Sequence, residues 1–208
     1  RLLGGIPLIL HTVQAAQDAS RIDAVVVSTN DTAVAKLAMQ AGVEVIERPD
    51  RLATPETPTT AVITHAVEHL EAAGVRPDPV ITLQPTSPLR TSAHIDATVA
   101  LLDDAEIRSA TTVTSLDIPI TTVGWLKEDR LRLAVSNVSD PRRQVAPQAL
   151  RITGGVYATR RALLAEGRLL DERPAVVMID ADSAIDIDTP ADLRRARLAY
   201  RRRSSTAR

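Results

Sequence analysis

The chain contains no cysteine. That excludes disulfides, thiolate nucleophiles and sulfur-ligated zinc, and it fits a cytoplasmic protein. Phenylalanine is also absent, and Trp125, Tyr157 and Tyr200 are the whole aromatic complement. The core must therefore be built from Ala, Val, Leu and Ile. Lysine occurs only at Lys36 and Lys127, every other such base being arginine, a bias of coding composition more than of function. The formal net charge is −1, so charge points to neither a nucleic acid nor a membrane as partner. No apolar run approaches the length of a membrane span, and no signal-peptide core is present.

What is present is a chain of 208 residues, 44% hydrophobic, enough for one well-cored domain with a small extra lobe. Strand-like and helix-like stretches alternate. Residues 1–5 lead towards a helix with no strand before them. Helices are expected at 7–19, 32–40, 59–73 and 93–102, and strands at 24–27, 43–46, 79–83 and 109–115. This order predicts an α/β fold, a doubly wound, mostly parallel sheet. The alternation fails over 116–150, which reads as an inserted arm with hairpin-like and irregular pieces. It returns with a strand at 155–159, a short helix at 161–166, a strand at 175–179 and a helix at 190–201, leaving 201–208 as a solvated basic end. There is no internal repeat.

Two stretches carry chemistry. In Ala184-Ile185-Asp186-Ile187-Asp188-Thr189-Pro190, the two aspartates are two residues apart in extended chain, so both carboxylates face one side. Side-by-side carboxylates repel unless a cation joins them, and magnesium is bound by one or two carboxylates with substrate phosphates. Thr189, Pro190 and Asp192 then start a helix, which places the pair where a strand ends and a helix begins. The second stretch, Gln84-Pro85-Thr86-Ser87-Pro88-Leu89-Arg90, directly follows a buried strand. Its two prolines stiffen a loop whose polar side chains suit a polar ligand. Read without function, the first is a capped Asp-rich turn and the second a capped loop.

Together with His94, Pro141-Arg142-Arg143-Gln144, the stretch 151–157 and Val43-Glu44-Val45-Ile46-Glu47-Arg48-Pro49, these stretches resemble the acylneuraminate cytidylyltransferase family, the CMP-sialic acid synthetases. The resemblance is collinear over nearly the whole chain. It implies a Rossmann-like nucleotidyltransferase that transfers CMP from CTP to a sialic-acid-like nine-carbon keto-sugar acid, releasing pyrophosphate. It implies magnesium on Asp186 and Asp188. It implies the sugar acid on Gln84, Arg142, Arg151, Thr153 and Tyr157, with Arg142 taking part in catalysis. It implies cytidine near Arg48, Thr57 and Thr59, and a homodimer paired through the arm. Attack of a hydroxyl on an α-phosphate needs positioning and charge neutralisation more than a covalent nucleophile, and arginine forks suit a carboxylate.

The chain departs from the family pattern in places. The family's first strand and its triphosphate-gripping loop would lie before Arg1. Its Gly-Lys-Pro-Leu reads Gly5-Ile6-Pro7-Leu8, an arm lysine is Thr121, and the asparagine before Gly154 is Thr153. Two readings therefore stand beside the first, a cytidylyltransferase for another hydroxyl acceptor and a non-catalytic binding or subunit-association module. His65-Ala66-Val67-Glu68-His69 matches a zinc pattern, but Val62, Ala66 and Leu70 mark the same stretch as a plain amphipathic helix. The arm's apolar residues Ile118, Ile120, Trp125, Leu131, Leu133 and Val135 are too many to bury within it, which also predicts a second surface.

Overall fold

The computed structural model describes residues 1–135 and 148–206. The chain opens on a small antiparallel hairpin, β1 (Leu2–Leu3) and β2 (Ile6–Pro7), turned by Gly4 and Gly5. This corrects the expectation of a plain approach to the first helix. Then follow α1 (Leu8–Gln17), β3 (Val26–Thr29), α2 (Thr32–Gln40), β4 (Glu44–Glu47), α3 (Thr59–Ala72), β5 (Val80–Thr82), α4 (Ser92–Ala100) and β6 (Ser109–Ser115). Asp31 caps α2, accepting from the Ala33 and Val34 amides at 2.7 and 3.1 Å. Thr91 and His94 form a reciprocal cap at the start of α4.

The arm contains a hairpin of β7 (Gly124–Lys127) and β8 (Arg130–Leu133). Its two-residue turn has positive φ at both Glu128 and Asp129, the mirror-image turn that matches strand twist. Residues 136–147, including Arg142, lie outside the described residues. The chain continues with β9 (Leu150–Thr159), α5 (Arg161–Ala165), β10 (Ala175–Met178) and α6 (Pro190–Thr206). Two expected boundaries change. β9 begins at Leu150 instead of Gly155, and α6 runs to Thr206 where a solvated end was expected.

The central sheet has the order β10-β6-β9-β5, with β10 and β6 parallel and β9 antiparallel to both of its neighbours. β3 and β4 form a separate parallel pair. The architecture is the expected Rossmann-like α/β sheet with an inserted arm, but a reversed strand runs through its middle. Adjacent side chains of β5 show the layering. Ile81 packs with Val156, Ile95 and Ala15 under α1 and α4, whereas Val80 packs with Ile63, Val67 and Leu164 under α3 and α5. With no phenylalanine, the largest fully buried side chains are Leu3, Ile46, Ile95, Leu163 and Leu164, alongside a set of threonines.

Those threonines hold an irregularity in β9. Thr111 pairs with Tyr157 but Val113 pairs with Ile152, so β9 carries extra residues at this point. Thr153 Oγ1 donates to the Thr112 carbonyl at 3.1 Å and accepts from the Gly155 amide at 3.2 Å. Thr112 Oγ1 lies 2.6 Å from Thr153 Oγ1 and accepts from the Val156 amide at 3.2 Å. Side-chain bonds thus satisfy the backbone groups that the bulge takes out of the ladder. Ile95 is fully buried between α1 and the sheet. Ile95→Ala should lower unfolding free energy by about 2–5 kcal/mol in urea titration; a change under about 0.5 kcal/mol would contradict this placement of the core.

Candidate functional site

The loops of interest gather at one edge of the sheet because of strand direction. β5, β6 and β10 end there, while the antiparallel β9 begins there, with Leu150 opposite Ser115 and Ile152 opposite Val113. The loop after β5 carries Gln84 to Arg90, and the chain after β10 turns through residues 181–184 into Asp186. The two segments are bonded together. The Ile187 amide donates to the Thr86 carbonyl at 2.8 Å, and Ser87 Oγ donates to Asp186 Oδ1 at 3.4 Å. The stretch around Asp186, expected to be extended, forms no strand, and Asp188 and Thr189 lie in a bend before α6.

Gly154 is the floor of this cluster. Its φ is +74°, a region that favours glycine, and its missing side chain lets three side-chain oxygens close over the backbone. A Cβ there would stand 2.8 Å from Gln84 Oε1, 3.7 Å from Ser87 Oγ and 3.8 Å from Asp186 Oδ2. Tyr157, half-buried on the same strand, has its hydroxyl pKa raised by burial and by the Asp186 charge. Arg151 is exposed and donates to the Ala184 carbonyl at 3.0 Å, so it flanks the aspartate segment. Asp186 is partly buried, and its Oδ2 has no hydrogen bond among the described residues. Asp188 is exposed with no ion pair or hydrogen bond among them. Two carboxylates so close along the chain, neither paired with a cation, are a hard oxygen donor set that suits magnesium. No group of three His, Asp or Glu side chains among the described residues could hold a metal unaided.

Other residues of interest stand elsewhere. Thr153 is buried and spends its hydroxyl on the β9 bulge, facing Thr112 and not the Asp186 cluster. Arg48 ties the ends of β3 and β4, donating to the Ser28 carbonyl and hydroxyl, and burial lowers its pKa. Thr57 bonds within its own loop, to Thr54 and the Arg51 carbonyl, and Thr59 opens α3 at the surface. No hydrogen bond among the described residues joins these three to the Asp186 cluster. Arg142 lies outside the described residues. Sequence reasoning left out Gly154, and named Ser87 and Arg90 only as donors of the polar loop. The adjacent glycines before Val156 were the available signal for a close backbone approach.

Two clefts, of about 310 and 320 Å³, lie apart from this cluster. The first is lined by Arg51, Thr64, His65 and Glu68, and the second by Gly4, Gly5, Arg197, Tyr200 and Arg201. His69 of the zinc-like pattern faces Glu44 at 3.7 Å. Among the described residues, no helix is long and apolar enough to cross a membrane.

A family model described as cytidylyltransferase matches residues 1–123. The chain is 29% identical to a 3-deoxy-manno-octulosonate cytidylyltransferase of Anaeromyxobacter dehalogenans, covering 94% of this chain and 87% of that protein. It is also 29% identical to the CMP-N,N'-diacetyllegionaminic acid synthase of Legionella pneumophila, covering 92% and 84%. Among solved structures, a CMP:2-keto-3-deoxy-manno-octonic acid synthetase complexed with CTP matches with a TM-score of 0.69 at 20% identity, covering 98% of this chain and 91% of that one, which shows a shared fold.

Gly154→Ala should destabilise the protein by about 1–3 kcal/mol, since alanine is strained at this φ and its methyl group must displace the Gln84 side chain. A thermal melt indistinguishable from the parent would contradict the described floor of the site.

Proposed function

Since the chain belongs to the cytidylyltransferase family and so is a CTP-dependent nucleotidyltransferase, we propose that it transfers CMP to a 3-deoxy-2-keto sugar acid, specifically a sialic-acid-like acid of nine carbons. The observation that carries this reading is the meeting of Gln84, Ser87 and Asp186 over the backbone of Gly154. An acid bound against this cluster meets hydrogen-bond partners on one side and a carboxylate pair on the other. Its hydroxyl oxygen forms a bond to the α-phosphorus of CTP, the bond from that phosphorus to the β-phosphate bridging oxygen breaks, and pyrophosphate leaves. The hydroxyl proton passes to solvent or to a neighbouring base.

Asp186 and Asp188 would hold magnesium, which when bound neutralises charge on the phosphates. Gln84 and Tyr157 orient the acid, Arg151 and Arg142 supply guanidinium forks for its carboxylate, and Arg48, Thr57 and Thr59 hold the cytidine. The eight-carbon acid is the second reading, favoured by the octulosonate relative. The reaction is assigned to the cytoplasm. Pyrophosphate release with CTP and a panel of eight- and nine-carbon keto-sugar acids separates the readings. Preference for a nine-carbon acid supports the proposal, preference for the octulosonate supports the second, and no release with any acid defeats both. In the active pairing, Asp188→Asn should cut turnover by about a hundredfold or more while leaving the melting temperature unchanged. Retained activity with normal magnesium dependence would remove the metal assignment.

We further infer a homodimer paired through the arm. Trp125 and Leu126 are 56% and 76% exposed, and Leu131 and Leu133 on the facing strand are also exposed. Exposed Ile152 and Met178 lie in one row across Val113, extending the apolar surface onto the sheet. A two-fold pair covers the same patch on both subunits. Light scattering should give twice the chain mass, and Trp125→Asp with Leu133→Asp should halve it. Mixing Arg142→Ala and Asp188→Asn subunits should restore some activity if Arg142 reaches the partner's site. A fully active monomer would overturn the pairing, and a dimer without restoration would overturn only the shared site.

A further inference from the structure

Arg90 is 4% exposed, and its guanidinium reaches three different elements. Nε donates to the Gly155 carbonyl at 2.6 Å, Nη1 donates to Thr12 Oγ1 in α1 at 2.9 Å, and Nη2 donates to the Gln84 carbonyl. All three acceptors are neutral. Among the described residues no carboxylate forms an ion pair with it; Asp186 acts on it only through its field. Burial pulls its pKa down to about 10, against the opposing pull of Asp186, so it stays charged at neutral pH. A buried guanidinium without an ionic partner is costly, and an apolar side chain would fill the space without that cost. What an apolar side chain lacks is a rigid planar fork that sets three acceptors at fixed angles.

We propose that Arg90 is a positioning residue for the acid-binding half of the site, holding Gln84 and the Gly154-Gly155 segment in the close approach that sets the Gln84 side chain over Gly154. Gln84 and Gly154 approach each other from different elements, a loop and a strand, and Arg90 bonds to the backbone of Gln84 and of the residue after Gly154. Its third bond anchors both to α1, which packs against the same sheet. The other end of the loop is held separately, where Arg203 Nη1 donates to the Leu89 carbonyl at 2.7 Å. The loop is thus fixed at both ends, and at the Gln84 end Arg90 adds a side-chain bond to the one that the Ser87 amide makes to the same carbonyl at 3.2 Å. Because Arg90 supports Gln84 and not the Arg48 region, losing its fork should disturb the acid and spare CTP. This division rests on the assignment of Gln84 to the acid made above.

Three variants test it: Arg90→Lys, which keeps charge but loses the fork, Arg90→Met, and Thr12→Val, which removes one acceptor at constant shape. KM for CTP and for the acid turned over best, and amide exchange at Ser87, Ile187 and α4, are measured for each variant that folds. Arg90→Lys should raise the acid KM about tenfold with the CTP KM within twofold, and Thr12→Val should raise the acid KM less. Exchange should speed up at Ser87 and Ile187, whose amides bond within and onto this loop, and stay slow in α4. A purely structural role would move both KM values together or loosen α4 equally, and either result overturns the proposal. If the native protein turns over no acid, the activity assignment fails by itself. The exchange pattern still decides the role of Arg90, because unchanged protection at Ser87 and Ile187 in Arg90→Lys overturns it.

Discussion

The 2.8 Å hydrogen bond from the Ile187 amide to the Thr86 carbonyl joins two loops that the chain keeps far apart. Everything at the site depends on that join. It sets Asp186 beside Ser87 and brings the carboxylate close to the bare backbone of Gly154. Neither loop is held by the sheet ladder at this point, so each needs its own anchors. On one side Arg90 and Arg203 hold the Gln84–Arg90 loop. On the other, Ser183 donates to Asp180 and Arg203 donates to Ser183, closing the turn that leads into the aspartates. The C-terminal turns of α6, where the sequence shows a basic run, thus fasten both segments.

Strand direction explains why one edge of the sheet collects so much. A fully parallel sheet offers only the residues after each strand. Here β9 is reversed, so residues within a strand, from Arg151 to Tyr157, face the same edge as the loops that follow β5 and β10. A regular strand cannot bring its backbone up to a ligand without side chains intervening. The bulge at Thr153-Gly154-Gly155 does so, and the buried Thr112–Thr153 pair keeps it satisfied. Thr153 is therefore tied into the support of the site, with its hydroxyl turned inward.

Most elements were legible because their signals are local. Asp31 before an apolar-periodic stretch and Gly42 after it predicted the helix found at Thr32–Gln40, and the alternation of strand and helix predicted the sheet. The two polar motifs were recognisable as site loops from their residue types. Their contact, made across 99 residues, was expected only through family resemblance. Pairing direction leaves no local trace, which is why the reversal of β9 was missed. Gly155 reads as the start of a strand and Gly154 as the residue before it, when both lie inside one. Arg90 reads as a donor of the polar loop facing a ligand, since burial of its charge depends on acceptors supplied by Thr12 and Gly155 from distant segments. The arginines near the end of α6 read as solvated for the same reason.

The account's central claim is that Asp186 and Asp188 hold the metal at the phosphates of CTP, beside the Gln84–Arg90 loop that takes the acid. The most direct measurement is a crystal structure with CTP and manganese, the metal located by anomalous scattering. The account predicts a manganese peak bound by Asp186 and Asp188, with the α-phosphate beside the metal. A peak in the cleft of His65 and Glu68, or CTP bound away from the Asp186 edge, would contradict it.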